Sequence, residues 1–408
     1  MDRVNKQREC RRVLLISNGH GEDLLAGVLA QALDERSEDL EIWAFPVVGS
    51  GQAYQRFPVQ VVGVQKEMPS GGWVRQSLGA LREDIKAGFL ELTVQQWRAF
   101  KALHPQVTYT VAVGDIYALY LGFRFCPKPL VFVPTAKSDY IRGHLAIEKS
   151  LMKKHCQLVL PRDEVTATNL RLDGVPARYV GNLMMDAIPS SGQGFPALSN
   201  RVMIGILPGS REEAYVNLPL LSISMEVIAR DHPDTAYAVA MAGNLSLDRA
   251  VNILASEGWQ MASEHDPSPQ SEPVESLSQR ERLLIKDGAY LLLAQGRFGD
   301  ILENSRVLIG LAGTANEQAA GLGKPVVAFP GPGAQYTDKF MAMQKRLLGD
   351  ALEATSGPEA AGRAVLDILA DPDKYASMAA CGQERMGEPG GAGRMAELLL
   401  HLWNGKPF

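Results

Sequence analysis

The chain has 408 residues, of which 46% are hydrophobic and 21% charged, and a formal net charge of -5. It is long enough for two domains with cores of their own, ordinary in composition for a soluble globular protein, and lacks the basic surface that a general nucleic-acid binder needs. Four cysteines (Cys10, Cys126, Cys156 and Cys381) stand far apart with no CxxC pair, and no apolar leader or run of about 18 apolar residues is present. We therefore expect a cytoplasmic protein without a zinc site, a disulfide framework or a membrane span.

Val13-Leu14-Leu15-Ile16 reads as a buried strand running into the loop Ser17-Asn18-Gly19-His20-Gly21-Glu22-Asp23. A helix follows, with Leu24, Leu25, Val28, Leu29 and Leu33 at helical spacing. Further strands are predicted at 41–45, 59–62, 108–113, 130–133, 158–160 and 178–180. Strands alternating with helical segments favour a parallel, doubly wound sheet. Between the third and fourth, Val74, Leu78, Leu81, Ile85, Phe89 and Leu92 recur at helical spacing between Trp73 and Trp97. This reads as a helix packed on the sheet, or as an interfacial helix making a peripheral membrane contact through 73–92.

The segment 186–200 is rich in Pro, Gly and Ser and reads as an interdomain linker. A second series of strands is expected at 202–207, 236–240, 290–293, 306–309 and 326–329, interrupted by a polar surface insertion at 264–282. A short helix at 395–403 closes the chain after Gly390-Gly391. The domains expected are 1–190, 191–385 and a C-terminal helix in 386–408 packing back on the first.

Two doubly wound domains would place a cleft at the carboxyl ends of their sheets, with four loops facing it. In Asn18-Gly19-His20-Gly21-Glu22-Asp23, His20 suits a general base or donor, unless it is a solvated turn residue and Asp23 a helix cap. In Val113-Gly114-Asp115, Asp115 reads equally as a base and as an N-cap. In Pro208-Gly209-Ser210-Arg211, Gly209 and Ser210 offer donors and Arg211 can neutralise a diphosphate; the plainer reading makes Ser210 a cap. In Gly313-Thr314-Ala315-Asn316-Glu317, Thr314 and Glu317 match a capping box that would aim a helix N-terminus at an anion. Glu317 could instead take ribose hydroxyls.

The ordered set Leu207-Pro208-Gly209-Ser210-Arg211, Asn217-Leu218-Pro219, Gly313-Thr314-Ala315-x-Glu317 and Lys324-Pro325-Val326-Val327 resembles the second domain of lipid-A-disaccharide synthase. In the first half, Gly114-Asp115, Leu158-Val159-Leu160-Pro161, Gly174-Val175-Pro176 and Val180-Gly181-Asn182-Leu183 resemble that family's motifs. Two acceptor-side motifs depart from it. The family's Gly-Glu-x-Ser-Gly-Asp loop is here Asn18-Gly19-His20-Gly21-Glu22-Asp23, nearer the Gly-Gly-His loop of lipid II and galactolipid transferases. Its Gly-His-Pro-Leu turn is here Gly181-Asn182-Leu183-Met184.

The resemblance implies an α/β GT-B fold of two Rossmann-like domains and a UDP-sugar donor. It implies that Gly209, Ser210, Arg211, Gly313, Thr314, Glu317 and Gln344 hold UDP, and that Asp115 or His20 serves as base. The expected activity is inverting transfer of a sugar to a lipid-linked or amphipathic acceptor, with no separate cofactor and no metal held by an Asp-x-Asp motif. The alternatives are a UDP-sugar 2-epimerase of the same fold and a non-catalytic nucleotide-sugar-binding protein.

Overall fold

The computed structural model describes residues 11–64, 89–126, 129–263 and 277–405. It divides into two compact units, Met1–Ala187 with Pro389–Phe408 (unit 1) and Ile188–Glu388 (unit 2). Unit 1 begins with β1 (Arg11–Ser17), α1 (His20–Asp34), β2 (Leu40–Pro46), β3 (Gln60–Val61), α2 (Phe89–Leu103) and β4 (Tyr109–Gly114). It continues with α3 (Ile116–Phe125), β5 (Leu130–Pro134), α4 (Ala146–His155), β6 (Leu158–Val159), α5 (Glu164–Leu172) and the single turn α6 (Leu183–Asp186). Unit 2 holds β7 (Val202–Leu207), α7 (Glu213–Asp231), β8 (Thr235–Met241), α8 (Leu247–Ser256), β9 (Gln260–Met261), β10 (Glu281–Lys286) and β11 (Ala289–Gln295). After these come α9 (Phe298–Asn304), β12 (Val307–Gly310), α10 (Thr314–Gly321), β13 (Val326–Ala328), α11 (Asp338–Leu348), β14 (Leu352–Ala354), α12 (Pro358–Ala370) and α13 (Pro372–Met386). The chain then returns to unit 1 as α14 (Gly391–Trp403).

The sheet of unit 1 is parallel throughout, in the order β3-β2-β1-β4-β5-β6. Its continuous apolar strands follow from burial on both faces. Along β1, Val13 and Leu15 enter a core with Leu29 and Leu33 of α1 and Leu399 and Trp403 of α14, while Leu14 and Ile16 enter one with Phe100, Leu119 and Phe132. Unit 2 repeats this winding, in the order β14-β13-β12-β7-β8-β11-β10-β9. Its strands are parallel from β14 to β11, and β10 and β9 add an antiparallel margin beyond β11.

Several expectations need correction. Residues 178–180 form no strand; Val159 makes an isolated bridge with Ala177, and the chain then turns away. The margin strands β9 and β10 and the three-residue β14 were not anticipated, and β10 begins inside the segment expected to be a polar insertion. Residues 264–276 of that segment, and 73–88 of the proposed interfacial helix, lie outside the described residues. The described part continues as α2, with Leu92 buried and Trp97 38% exposed. Among the described residues no helix is long and apolar enough to cross a membrane.

The Pro/Gly/Ser-rich stretch is tied down rather than loose. Asp300, 1% exposed, accepts from Ser190 Oγ at 3.0 Å, Ser191 N at 2.7 Å, Ser191 Oγ at 2.8 Å and Arg297 Nε at 2.5 Å. Burial opposes ionisation of this carboxyl, but the hydrogen bonds from Arg297, Ser191 and Ser190 prevail and hold its pKa at about 2.

Helix α14 is held in unit 1 at both ends. Asp186 caps its N-terminus, accepting from the Gly390 and Ala392 N–H groups, and Gly181 packs so closely on it that a methyl group there would stand 2.5 Å from Gly391 Cα. At the other end Trp403 stacks on Tyr109 at 4.4 Å, and the Tyr109 hydroxyl donates to the Trp403 carbonyl at 3.1 Å. Leu399 is fully buried in this core. Leu399→Ala should therefore lower stability by about 2–5 kcal/mol, the range for a leucine cavity. Urea denaturation followed by tryptophan fluorescence checks this, and an unchanged midpoint would mean that α14 is not part of the core.

Candidate functional site

In a doubly wound sheet, ligands bind beyond the carboxyl ends of the strands, where the chain departs to opposite faces from two neighbouring strands. The strand orders put that point between β1 and β4 in unit 1 and between β7 and β12 in unit 2. The last paired residues are Ser17 with Val113, and Leu207 with Gly310. The four loops singled out in the sequence follow directly from these four strands.

In unit 1 the two strand ends are laced together. Asn18 Nδ2 donates to Asp115 Oδ1 at 2.6 Å, and the Asp115 N–H donates back to Asn18 Oδ1 at 3.2 Å. Asp115 Oδ1 also accepts the Tyr117 N–H at 2.7 Å, so Asp115 is the N-cap of α3. Gly114 permits this crossing: its φ is +135°, and a methyl group there would stand 1.9 Å from Asn18 Oδ1. His20 is exposed at the first position of α1, against Gly49, which has no Cβ to displace its ring.

Glu22, which the sequence reading passed over, lies half-buried between these loops, and Thr135 Oγ1 donates to its Oε1 at 3.4 Å. Asp23 does not cap α1. It is fully buried in the first turn, where Ser17 Oγ donates to its Oδ1 at 2.6 Å and itself lies 2.6 Å from the Tyr54 hydroxyl. Its Oδ2 is buried without a partner, and burial pushes its pKa up to about 6, against the lowering effect of the Ser17 hydrogen bond.

In unit 2 the corresponding support is built from carboxamides. Asn217 Nδ2 donates to the Pro208 carbonyl at 2.9 Å, fixing the loop that carries Gly209, Ser210 and Arg211. Ser210 and Arg211 are exposed, and among the described residues the Arg211 guanidinium has no hydrogen-bond or ion-pair partner. Ser210 does not cap the next helix, since α7 starts at Glu213 with Glu212 as N-cap. Glu213 instead accepts the N–H groups of Ala334 and Gln335, at 2.7 and 3.2 Å.

The expected capping box at Thr314 is absent. Gly313 is the N-cap, Thr314 is the exposed first residue of α10, and no side chain caps the helix. The turn is held from below instead. Gln344, 1% exposed, donates through Nε2 to the carbonyls of Gly313 at 2.9 Å and Ala312 at 3.3 Å. Its Oε1 accepts from Asn316 Nδ2 at 2.9 Å and from the Tyr336 hydroxyl at 2.7 Å. Every hydrogen-bonding position of this amide is thereby occupied. Gln344 thus supports the Gly313 turn from beneath. Glu317 is half-buried on the first turn of α10.

The sequence does contain one Asp-x-Asp run, Asp371-Pro372-Asp373, but Asp371 spends its Oδ1 capping α13 through the N–H groups of Asp373 and Lys374. Among the described residues no group of three or more His, Cys, Asp or Glu side chains is arranged to hold a metal ion.

No protein-family model matches the chain, and neither does any curated protein. Solved structures match along nearly its whole length. A putative UDP-N-acetylglucosamine 2-epimerase from Listeria monocytogenes aligns with a TM-score of 0.61 at 15% identity, over 97% of both chains. The UDP-GlcNAc 2-epimerase of Neisseria meningitidis, bound to UDP-GlcNAc, aligns at 0.56 and 14%, over 97% of this chain and 100% of that one. The calicheamicin glycosyltransferase CalG4 aligns at 0.57 and 14%, over 96% and 98%. These likenesses show the fold: two Rossmann-like units of the GT-B class.

Asp23 yields a test with a definite sign. A carboxyl whose pKa rises from an ordinary 3.8 to about 6 on folding binds more protons in the folded state than in the unfolded one between those values. Its ionisation therefore costs stability as pH rises through that window. Asp23→Asn should be more stable than the wild type above pH 6, by on the order of 2–3 kcal/mol, with the difference vanishing below about pH 4. Thermal unfolding across pH 4–8 checks it; a variant less stable at pH 7 would show the ionised carboxylate to be a net stabiliser.

Proposed function

We propose that the protein is a UDP-sugar-dependent enzyme that holds its nucleotide at the β7/β12 switch point and breaks the bond between the sugar's anomeric carbon and the diphosphate. The observation that carries this reading is Arg211, an exposed guanidinium without a partner among the described residues, on a loop leaving the sheet beside the braced Gly313 turn. Helix α10 starts there at Thr314, and the first N–H groups of a helix have no acceptor within it. Together these would meet the charge that grows on departing UDP. Gly209 and Ser210 would supply further donors, and Glu317 would take the ribose hydroxyls. The UDP-sugars and UDP-sugar enzymes named among the structural neighbours support the donor class.

Two fates of the sugar follow. In the first, an acceptor hydroxyl attacks the anomeric carbon with inversion, and the proton goes to a base at the β1/β4 switch point, where Asp115 and His20 stand. The resemblance to lipid-A-disaccharide synthase supports this fate and a lipid-linked or amphipathic acceptor, and the likeness to CalG4 agrees with it. In the second, a proton leaves C2, UDP is eliminated and then added back, as the epimerase names of several neighbours suggest. Those names favour the second fate. The first fate needs a single base, for which the β1/β4 loops offer His20 and Asp115, whereas the second needs acid–base groups on both faces of the sugar.

Arg211→Ala should weaken UDP binding by about 1.5–3 kcal/mol, the range for a charged hydrogen bond; unchanged affinity by calorimetry removes Arg211 from the donor site. Incubation with UDP-N-acetylglucosamine in D2O without acceptor separates the two fates. Transfer leaves the donor intact, whereas deuterium at C2 of the UDP-sugar, with or without net release of UDP, establishes the epimerase reading.

A further inference from the structure

Resting on the transfer reading, we infer that Glu22, rather than His20 or Asp115, is the general base. Its side chain runs between two glycines, with the carboxylate beside Gly19 and Cγ beside Gly114. A methyl group at Gly19 would stand 2.3 Å from Glu22 Oε2, and one at Gly114 would stand 3.3 Å from Glu22 Cγ. The side chain therefore lies across the ends of β1 and β4 and reaches the loop after β5, where Thr135 donates to Oε1 at 3.4 Å.

An acidic residue in the first turn of a helix is often there for the dipole alone. That explains a carboxylate near the N-terminus of α1 but not one that runs past Gly19 and Gly114 to meet Thr135.

The other candidates are less suited. Asp115 Oδ1 already takes two short hydrogen bonds, from Asn18 and Tyr117, which makes Asp115 a positioning group. His20 is exposed beside Gly49, on the loop that follows β2. Glu22 has one long hydrogen bond among the described residues, which leaves lone pairs for a substrate hydroxyl. Asn18 and Thr135 border the same spot and are suited to orient that hydroxyl, so the acceptor it fits bears its reacting hydroxyl on a polar, sugar-like head.

The acceptor O–H gives its proton to the Glu22 carboxylate as its oxygen bonds to the anomeric carbon. The bond from that carbon to the β-phosphate oxygen breaks and its electron pair leaves with UDP; Glu22 then returns the proton to water.

The test compares wild type, Glu22→Gln, Asp115→Asn and His20→Ala for UDP formation from UDP-glucose, UDP-galactose and UDP-N-acetylglucosamine. Detergent-dispersed lipid extract serves as acceptor, and UDP affinity and melting temperature are measured alongside. Glu22→Gln keeps the shape and the contact with Thr135 but cannot take the proton. We expect its kcat to fall by roughly 10²–10⁴-fold with KM for the donor, UDP affinity and melting temperature unchanged. Formate should restore part of the activity of Glu22→Ala. A Glu22→Gln variant within threefold of wild type overturns the assignment while leaving the donor site standing. A wild type that does not bind UDP removes the donor reading itself, and one that binds UDP but never turns over removes the transfer reading and with it the Glu22 assignment.

Discussion

A parallel sheet wound to both faces from its middle leaves one gap that no crossover covers, at the carboxyl ends of the central strand pair. Both units meet this constraint at the same place in their winding, between the first strand and the fourth of their parallel series. The backbone groups that emerge there have lost their strand partners, and a buried amide or carbonyl left unpaired costs about 1–3 kcal/mol. Something must therefore lace each gap without filling it. In unit 1 that is the reciprocal pair Asn18–Asp115. In unit 2 it is Asn217 on one loop, and Gln344, Asn316 and Tyr336 beneath the other.

The two lacings differ in charge, and the difference suits different chemistry. Unit 2 uses neutral carboxamides, which leaves Arg211 and the start of α10 as the groups there that suit a diphosphate. Unit 1 uses carboxylates, and Asp115 and Glu22 suit hydroxyl groups and proton transfer rather than an anion. The same winding thus presents two different chemistries through the residues that close it.

Much of this was legible in the sequence, for a physical reason. Strands buried on both faces are written as uninterrupted apolar runs, and the loops after β1, β4, β7 and β12 carry the glycines and polar residues that such ends require. What escaped was non-local. β10 mixes Glu281, Arg282 and Lys286 into its run because it lies near the margin of the sheet, so it reads as part of a polar insertion. Thr314 and Glu317 have the spacing of a capping box, but Gln344, nearly thirty residues on, already holds the Gly313 turn, and the helix starts one residue earlier than the box requires. That Gln344 holds the turn through its amide, from a helix so far along the chain, could not be read from its position in the sequence. Glu22 was invisible because its setting depends on glycines at 19 and 114, which only the fold brings together.

We propose the β7/β12 switch point of unit 2 as the nucleotide site. Hydrogen–deuterium exchange of the full-length protein with and without saturating UDP tests it most directly. The account expects slowed exchange in 208–213 and 311–318, with the segment around Gln344 protected in both states because its bonds exist before the ligand arrives. UDP binding that instead protects 18–23 and 114–117 while leaving 208–213 and 311–318 unchanged would contradict it.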